Sequence, residues 1–595
     1  MKRTLSVPLR ILTALLIGAG CAAYAPFGPL TLSWLTALKL VLWAGAGLLC
    51  TFGLKSKLHK RLLRFTIPLS FFLALSFVLG AGLQVTGSLR FGLPDLLTLA
   101  GLWALLFLLL CHLFVNLPGW LKTRQPRAPL HNTALAWTVF LCFFILACGW
   151  LLAFYPIMTN YDIHAHLLQI ATGQYETHHS LLYTLLMQGL LWISSALHLG
   201  NAWAFLMLGL LQAAVMGLAV AYGLVTMNRA GADRRAVILI AVYFCVFPLF
   251  GYFAFSTTKD TLFACFLLLA AVELYRLSRG YVNVWCKARM TLFLLLACLM
   301  RYNGILTLLL FAAGTGAYAL LRVLHRRRVS AVVKRLFALV LLALVLCVGA
   351  SALLNFVTGA VTPDTVSRDT LSLPLQQMAR VLQAATDETD IARIEGLFGV
   401  DDIKDWYRPD IADPVKSAFL YPDENVFNAL RAWVKLGIKY PRAYLEGFLE
   451  LTRGAWFIDD LSHTKIDYWL DYTGYLEAVQ KYTEEAVPIA YQTPVPALRA
   501  FLENTFMDNR YLDVPLLRYF FALAVQTWIV ILALFYAAYH RRPHAVRMLL
   551  FALCVLLPIF LLPCMISRYF LPLFLLNPLC LLALTTKAPS VETKG

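Results

Sequence analysis

Apolar runs of about 20 residues recur from one end of this 595-residue chain to the other. Each is close to the ~20 residues a helix needs to cross ~30 Å of hydrocarbon, with 289–301 short. Fourteen can be delimited, at 9–26, 31–53, 65–84, 92–115, 133–155, 203–226, 236–255, 259–277, 289–301, 303–322, 333–357, 515–538, 546–562 and 568–586. No water is available inside a bilayer to satisfy backbone groups, so such segments must be helices. The expected fold is an all-α polytopic membrane protein with about 14 transmembrane helices. The first run follows MKRTLSVPLR and reads as a first span rather than a cleaved signal, because so many spans follow it.

Charge is distributed unevenly over this apolar frame. Of 32 acidic residues, 25 lie within 358–514, together with only 15 of the 50 Lys and Arg. This window is a water-facing, mostly helical domain placed between the eleventh and twelfth spans. Elsewhere the basic excess sits in short turns between apolar runs, which marks topology rather than nucleic-acid binding. The turns at 1–3, 55–61, 122–127, 228–235, 276–289, 325–328 and 540–547 should all be cytoplasmic. They agree with one another only if 181–199 does not cross, so that stretch is expected to lie along the outer interface. Both termini are then cytoplasmic, and 156–202 and 358–514 face outward. The domain plan is an accessory four-helix region (1–132), a membrane core (133–357), the acidic domain (358–514) and a C-terminal three-helix region (515–595). None of the 13 cysteines falls in the acidic window, and no paired-Cys motif is visible.

Most groups able to do chemistry near a membrane are gathered between residues 155 and 184, in YPIMTNYDIHAHLLQIATGQYETHHSLLYT. A helix starting near Asp162 places Asp162, His166, Gln169 and Gly173 on one face. A carboxylate at the lipid–water boundary can take a proton from a hydroxyl acceptor; the plainer reading of Asp162 is a helix N-cap. Glu176, His178 and His179 follow as candidate substrate contacts, with interface packing as the alternative. No cofactor is demanded. A divalent metal, if used, would draw on Asp162, His164 and His166, although H-x-H lacks the i, i+4 spacing of helical zinc sites.

Three cations mark outer span ends: Lys259 in FSTTKD, Arg301 in MRYNG and Arg568 in ISRYF. Each alone could snorkel to headgroups. Three at one depth, on the side that carries Asp162, point to a shared anionic ligand such as a membrane-anchored phosphate. Lys259 is the weaker member, since Asp260 stands beside it as a counter-charge. Tyr302 and Tyr569 adjoin the two arginines and could fix their height. In the acidic domain, LPLQQMARV offers Gln376, Gln377 and Arg380 as a polar patch turned toward the site; a solvated helix face is the alternative.

The order of these parts resembles the GT-C class of membrane glycosyltransferases, which includes protein O-mannosyltransferases and the aminoarabinose transferase. It combines an outer-loop Asp after a long helix, a G-x-Y-x-x-H-H-x-x-L segment, an interface helix, further spans and a late soluble domain. The details YDIHAHLLQIATGQYETHHSLLYTLL, STTKDTLFA, MRYNGI, LPLQQMARV, DPVK and SRYFLPL resemble more closely an uncharacterised bacterial family of that class. The resemblance covers about 133–585. It implies transfer of a sugar from a polyprenyl-phosphate donor to a hydroxyl acceptor of the cell envelope, at the outer face of the cytoplasmic membrane. Asp162 matches the class's first-loop Asp, its proposed base. The chain departs from the class in having Ile163 after Asp162 rather than Glu, and His178-His179-Ser180 where relatives have a His-Pro or Pro-Pro turn. The competing reading is a transporter or flippase of a lipid-linked or anionic substrate. Transporters place ionisable groups near the midplane, whereas here they cluster at one face.

Overall fold

The structure is a computed structural model that describes residues 7–24, 34–53, 59–122, 129–160, 162–363, 369–400, 402–420, 423–461 and 492–586. The basic segments at 1–3, 55–58 and 123–127 lie outside the described residues. The described chain is helical, with isolated β-bridges and no strands. Its principal helices are α1 (Val7–Ala22), α2 (Trp34–Gly53), α3 (Lys60–Thr86), α4 (Leu93–Lys122), α5 (Asn132–Ala153), α6 (Ile163–Thr172) and α7 (Leu181–Ala196). Then come α8 (Asn201–Arg229), α9 (Arg234–Val246), α10 (Pro248–Ala254), α11 (Lys259–Ser278), α12 (Val284–Met300), α13 (Asn303–Leu324) and α14 (Ala331–Thr358). The acidic domain contributes α15 (Ser372–Leu382), α16 (Asp423–Lys439) and α17 (Pro441–Leu451), and the chain closes with α18 (Leu523–Tyr539), α19 (Pro543–Leu556) and α20 (Ser567–Thr585).

Nine helices among the described residues are long and apolar enough to cross a membrane, or ten if the bent α9–α10 pair is one span. The sequence predicts a continuous span over 236–255, but the structure bends it by 51° between α9 and α10. Pro248 lacks the N–H that would continue the ladder, and it holds Phe247 in extended backbone (φ −68°, ψ 117°). Pro558 similarly turns the end of the 546–562 run into a 3₁₀ segment. α7 has 16 residues, short of a full crossing.

The centre of the bundle is α11, packed against α8, α12, α19 and α20. Its start faces the acidic domain. There Ile411 bridges Cys564, the Ala412 N–H donates to Pro563 O at 2.7 Å, and Glu176 bridges Val361. At the opposite end of the bundle the basic turns meet. Asn228 Nδ2 donates to Leu130 O at 2.8 Å, Asp233 N to Thr585 Oγ1 at 3.2 Å, and Arg547 to Ser278 O at 3.5 Å.

α1 to α4 pack among themselves and reach the rest through α18 and the acidic domain. Gly20 and Gly101 let α1 and α4 touch backbone to backbone; a Cβ on Gly20 would lie 2.5 Å from Gly101 Cα. The acidic domain has an apolar core of its own, built from residues such as Leu375, Met378, Phe398, Phe419 and Leu436.

Candidate functional site

After α5 the chain runs beside the segment that links α10 to α11. Met158 N donates to Phe255 O, Thr257 N to Met158 O (both 2.9 Å), and Asn160 N to Thr257 Oγ1 (3.0 Å). Gln212 of α8 braces this pairing from below, donating to the carbonyls of Ala254 (3.1 Å) and Ser256 (2.8 Å). The result sets Asp162 against the first residue of α11.

Asp162 occupies the N-cap position of α6, yet its side chain makes no capping bond. Its Oδ2 instead accepts from Lys259 Nζ at 2.8 Å and from Arg568 at 3.3 Å. Arg568 also donates to Asn160 Oδ1 at 2.8 Å, and its Nε lies 3.8 Å from Asp260 Oδ2. Asp260 in turn holds Arg301. Tyr569 lies under both guanidiniums, 4.4 Å from Arg301 and 5.2 Å from Arg568. The order is therefore Lys259–Asp162–Arg568–Asp260–Arg301: three cations alternating with two carboxylates, net +1. No side chain of the five is more than 17% exposed, so these charges are held by one another rather than by water.

Local helix preference does not explain this arrangement. Lys259 is the first residue of α11 and Arg568 the second of α20. A cation at the positive end of a helix dipole is disfavoured. Residues that break a local rule while serving a shared cluster are the usual mark of function.

Burial by itself would raise the Asp162 carboxyl. The charges of Lys259 and Arg568 outweigh it and hold the carboxyl well below the ordinary aspartate range. His179 lies in the same field: burial and the ammonium of Lys259, whose Nζ is 3.2 Å from Nδ1, push its imidazole down. His166 is fully buried on the inner face of α6, and burial, then Lys259, pushes it to about 3. Its Nδ1 is 2.7 Å from Thr184 Oγ1, which gives its own proton to Ser180 O at 3.1 Å. With Thr184 Oγ1 donating to Ser180 O, the arrangement suits a proton on Nδ1 and an acceptor at Nε2. His166 Nε2 and the Oε1 of Gln169, one turn on, are both buried with no hydrogen-bond partner among the described residues. Gly173 then ends α6 at φ 68°, a left-handed cap that turns the chain toward the histidines.

Three sequence expectations are corrected by this geometry. Lys259 does not pair with Asp260, because successive helix residues point about 100° apart; Lys259 meets Asp162 and Asp260 meets Arg301. Tyr302 does not set the height of Arg301; Tyr302 is 46% exposed, and Tyr569 serves both arginines. Gln376, Gln377 and Arg380 neither turn to the site nor lie in solvent. Gln376 donates to Arg408 O, and Gln377 donates to Tyr444 O at 3.0 Å and accepts from Trp433 at 2.8 Å. Arg380 pairs with Glu446 at 2.9 Å and with Gly87 O. Their shared face packs α15 on α17 and docks the domain on the turn after α3.

The acidic domain reaches the cluster by another route. His178 Nδ1 is 3.6 Å from Asp369, which pairs with Lys416 at 2.6 Å; Lys416 also holds Asp413 at 2.7 Å. His178 and His179 rings are 4.6 Å apart, so this chain ends beside Lys259. Glu176 contributes its backbone, bridging Val361. Sequence reasoning missed Asn160, Thr184 and Asp369 as parts of the site. DPVK was the visible trace of Lys416, and the Lys-Asp dipeptide the trace of Asp260.

A family model matches residues 165–595. The chain belongs to DUF6020, a family of unknown function. No curated protein and no solved structure matches it. The DUF6020 region includes four of the five clustered charges, with Asp162 just ahead of it, and leaves α1–α5 outside. Within this DUF6020 chain, no group of three His, Cys, Asp or Glu among the described residues is placed to hold a metal ion. Asp162 Oδ2 is engaged by Lys259 and Arg568 and His166 Nδ1 by Thr184, while His166 Nε2 has no partner among the described residues.

Proposed function

We propose that the cluster is the reaction centre of a GT-C-type glycosyltransferase that uses a polyprenyl-phosphate sugar donor. The observation that carries this reading is the alternation of Lys259, Asp162, Arg568, Asp260 and Arg301 at one end of the bundle, with a surplus of one positive charge. Asp162 and Asp260 stand where a phosphate's oxygens would be attractive to the same cations. When the donor binds, its phosphate takes over part of the Arg568 and Lys259 charge. Asp162, now less compensated, becomes a stronger base. The acceptor hydroxyl loses its proton to Asp162 as its oxygen bonds to the anomeric carbon. The bond from that carbon to the phosphate oxygen breaks, and the leaving phosphate's charge falls on Arg568 and Arg301, whose planar forks match two oxygens. His166 and Gln169 orient the acceptor beside Asp162, and His178 and His179 carry the domain's contacts to it.

The topology that goes with this reading has about 14 spans and both termini in the cytoplasm. α7 lies along the outer face of the cytoplasmic membrane, and the acidic domain covers the site. A transport reading is less well supported. On α11 the charges sit only at the two ends, and Thr261–Val272 between them is uncharged.

The test is incubation of the purified protein with a panel of polyprenyl-phosphate sugars and a hydroxyl acceptor, following release of polyprenyl phosphate. Release that requires Asp162 is the expected result. Movement of the intact donor between leaflets of a proteoliposome without cleavage would replace transfer by flipping.

A further inference from the structure

A cavity of about 530 Å³ opens between α5, α8 and α11, at the end of the bundle away from the charge cluster. α11 has 20 residues and rises about 1.5 Å per residue, so the two sites are about 30 Å apart, the thickness of a bilayer's hydrocarbon. Trp137, Phe140 and Leu218 form an apolar wall, and Arg229, Arg276 and Arg279 supply its charges. The lining contains no carboxylate. Glu273, the acid nearest on α11, is fully buried and shared by Arg276 at 3.2 Å and Arg289 at 2.7 Å. Two cations on one carboxylate leave this end positively charged.

The wall faces the lipid side. Trp137 is 58% and Leu218 55% exposed on the flanks of α5 and α8. Tyr281 stands at the mouth with Arg276 over its ring at 5.9 Å, in the manner of aromatic residues at headgroup depth. A soluble anion would use the arginines and gain nothing from Trp137, Phe140 and Leu218. A lipid uses both.

We infer that this cavity binds one anionic phospholipid of the adjoining leaflet, its phosphate at Arg229 and Arg279 and its acyl chains along the α5–α8 wall. Charge complementarity selects the headgroup, and the lateral opening lets the lipid enter from the bilayer. The site is independent of glycosyl transfer and stands or falls separately from it.

The test uses the full chain reconstituted in nanodiscs of mixed phosphatidylglycerol and phosphatidylcholine, with the retained lipid counted by native mass spectrometry. Arg229→Gln/Arg279→Gln removes the charge at the mouth but spares Arg276, which Glu273 needs. Ala136→Trp fills the apolar part and keeps every charge. Arg327→Gln/Arg328→Gln is the control in another basic turn. The expected result is one retained phosphatidylglycerol, preferred roughly tenfold over phosphatidylcholine. Retention should fall roughly tenfold in each cavity variant and stay unchanged in the control. Equal retention of the two lipids, or unchanged retention in a folded Arg229→Gln/Arg279→Gln protein, overturns the inference. Displacement of the lipid by millimolar inorganic phosphate also overturns it, in favour of a soluble anion.

Discussion

Lys259 Nζ and Asp162 Oδ2 are 2.8 Å apart, although 97 positions separate them in the chain. The pair ties the cap of α6 to the start of α11, and through Arg568 it draws in α20. With Arg301 at the end of α12, four helix ends that are remote in sequence thus meet at two carboxylates and three cations.

Asp162→Asn should leave the protein folded and reduce turnover by about 10²–10⁴-fold, the usual contribution of a general base. Donor binding should hold or improve, since Asn no longer competes with the phosphate for Lys259 and Arg568. Separate measurement of donor affinity and single-turnover rate decides it. Near-full turnover in a folded variant removes Asp162 from the base role.

Arg301→Ala should cost stability as well as activity, because it leaves Asp260 buried beside Arg568 alone. Breaking one member of a buried pair typically costs about 3–5 kcal/mol, whereas replacing both by apolar residues is often neutral. Arg301→Met with Asp260→Leu should therefore regain thermal stability without regaining turnover. Recovery of both would reduce the pair to a structural role. Arg568→Lys should rescue Arg568→Ala only in part, because a point charge survives while the two-oxygen fork is lost. Arg327→Ala is the control.

His166 sets an acid limb of stability. Its folded value is pushed to about 3, below the ordinary histidine value of about 6.5. In between, the unfolded chain binds the proton and the folded chain does not, so stability is full above about 6.5 and is lost as pH falls toward about 3. The slope from this one group is at most ~1.4 kcal/mol per pH unit. His166→Gln should flatten the melting temperature between pH 6.5 and 4. An unchanged slope would mean that His166 is protonated in the fold.

Arg380→Ala should act on stability alone. Glu446 and Glu450 are buried and lean on Arg380 at 2.9 and 3.8 Å, and Gly87 O accepts from it. Loosened docking of the acidic domain on the α3–α4 turn, seen as faster hydrogen exchange over α15 and α17, is the expected result. Loss of turnover with normal exchange would return Arg380 to the site.

Topology can be read by cysteine accessibility in a background lacking the native cysteines. Gly231→Cys should label only after permeabilisation, and Gln174→Cys, which is exposed after α6, in intact cells. Labelling of position 231 from outside would invert the scheme and place the cluster in the cytoplasm.

The sequence by itself determined the class of this molecule. Apolar runs of bilayer length have one backbone solution, and an acidic insert of 25 carboxylates has no place in hydrocarbon, so helical spans and a separate polar domain were legible without coordinates. Asp162, Lys259, Arg301 and Arg568 were legible too, because each is a charge near the end of an apolar run. Only the tertiary structure decided who pairs with whom. Lys259 and Asp260 are neighbours in the chain but point to different helices, and the Arg380 face expected to turn toward the site is filled by α17. Pairing of charges depends on where helix ends meet after packing, and helices joined by turns of different length can place the same residues near many partners. Hydropathy reports a solvent and therefore reads directly from composition; an ion pair reports a distance between two remote segments, which exists only once the bundle has closed.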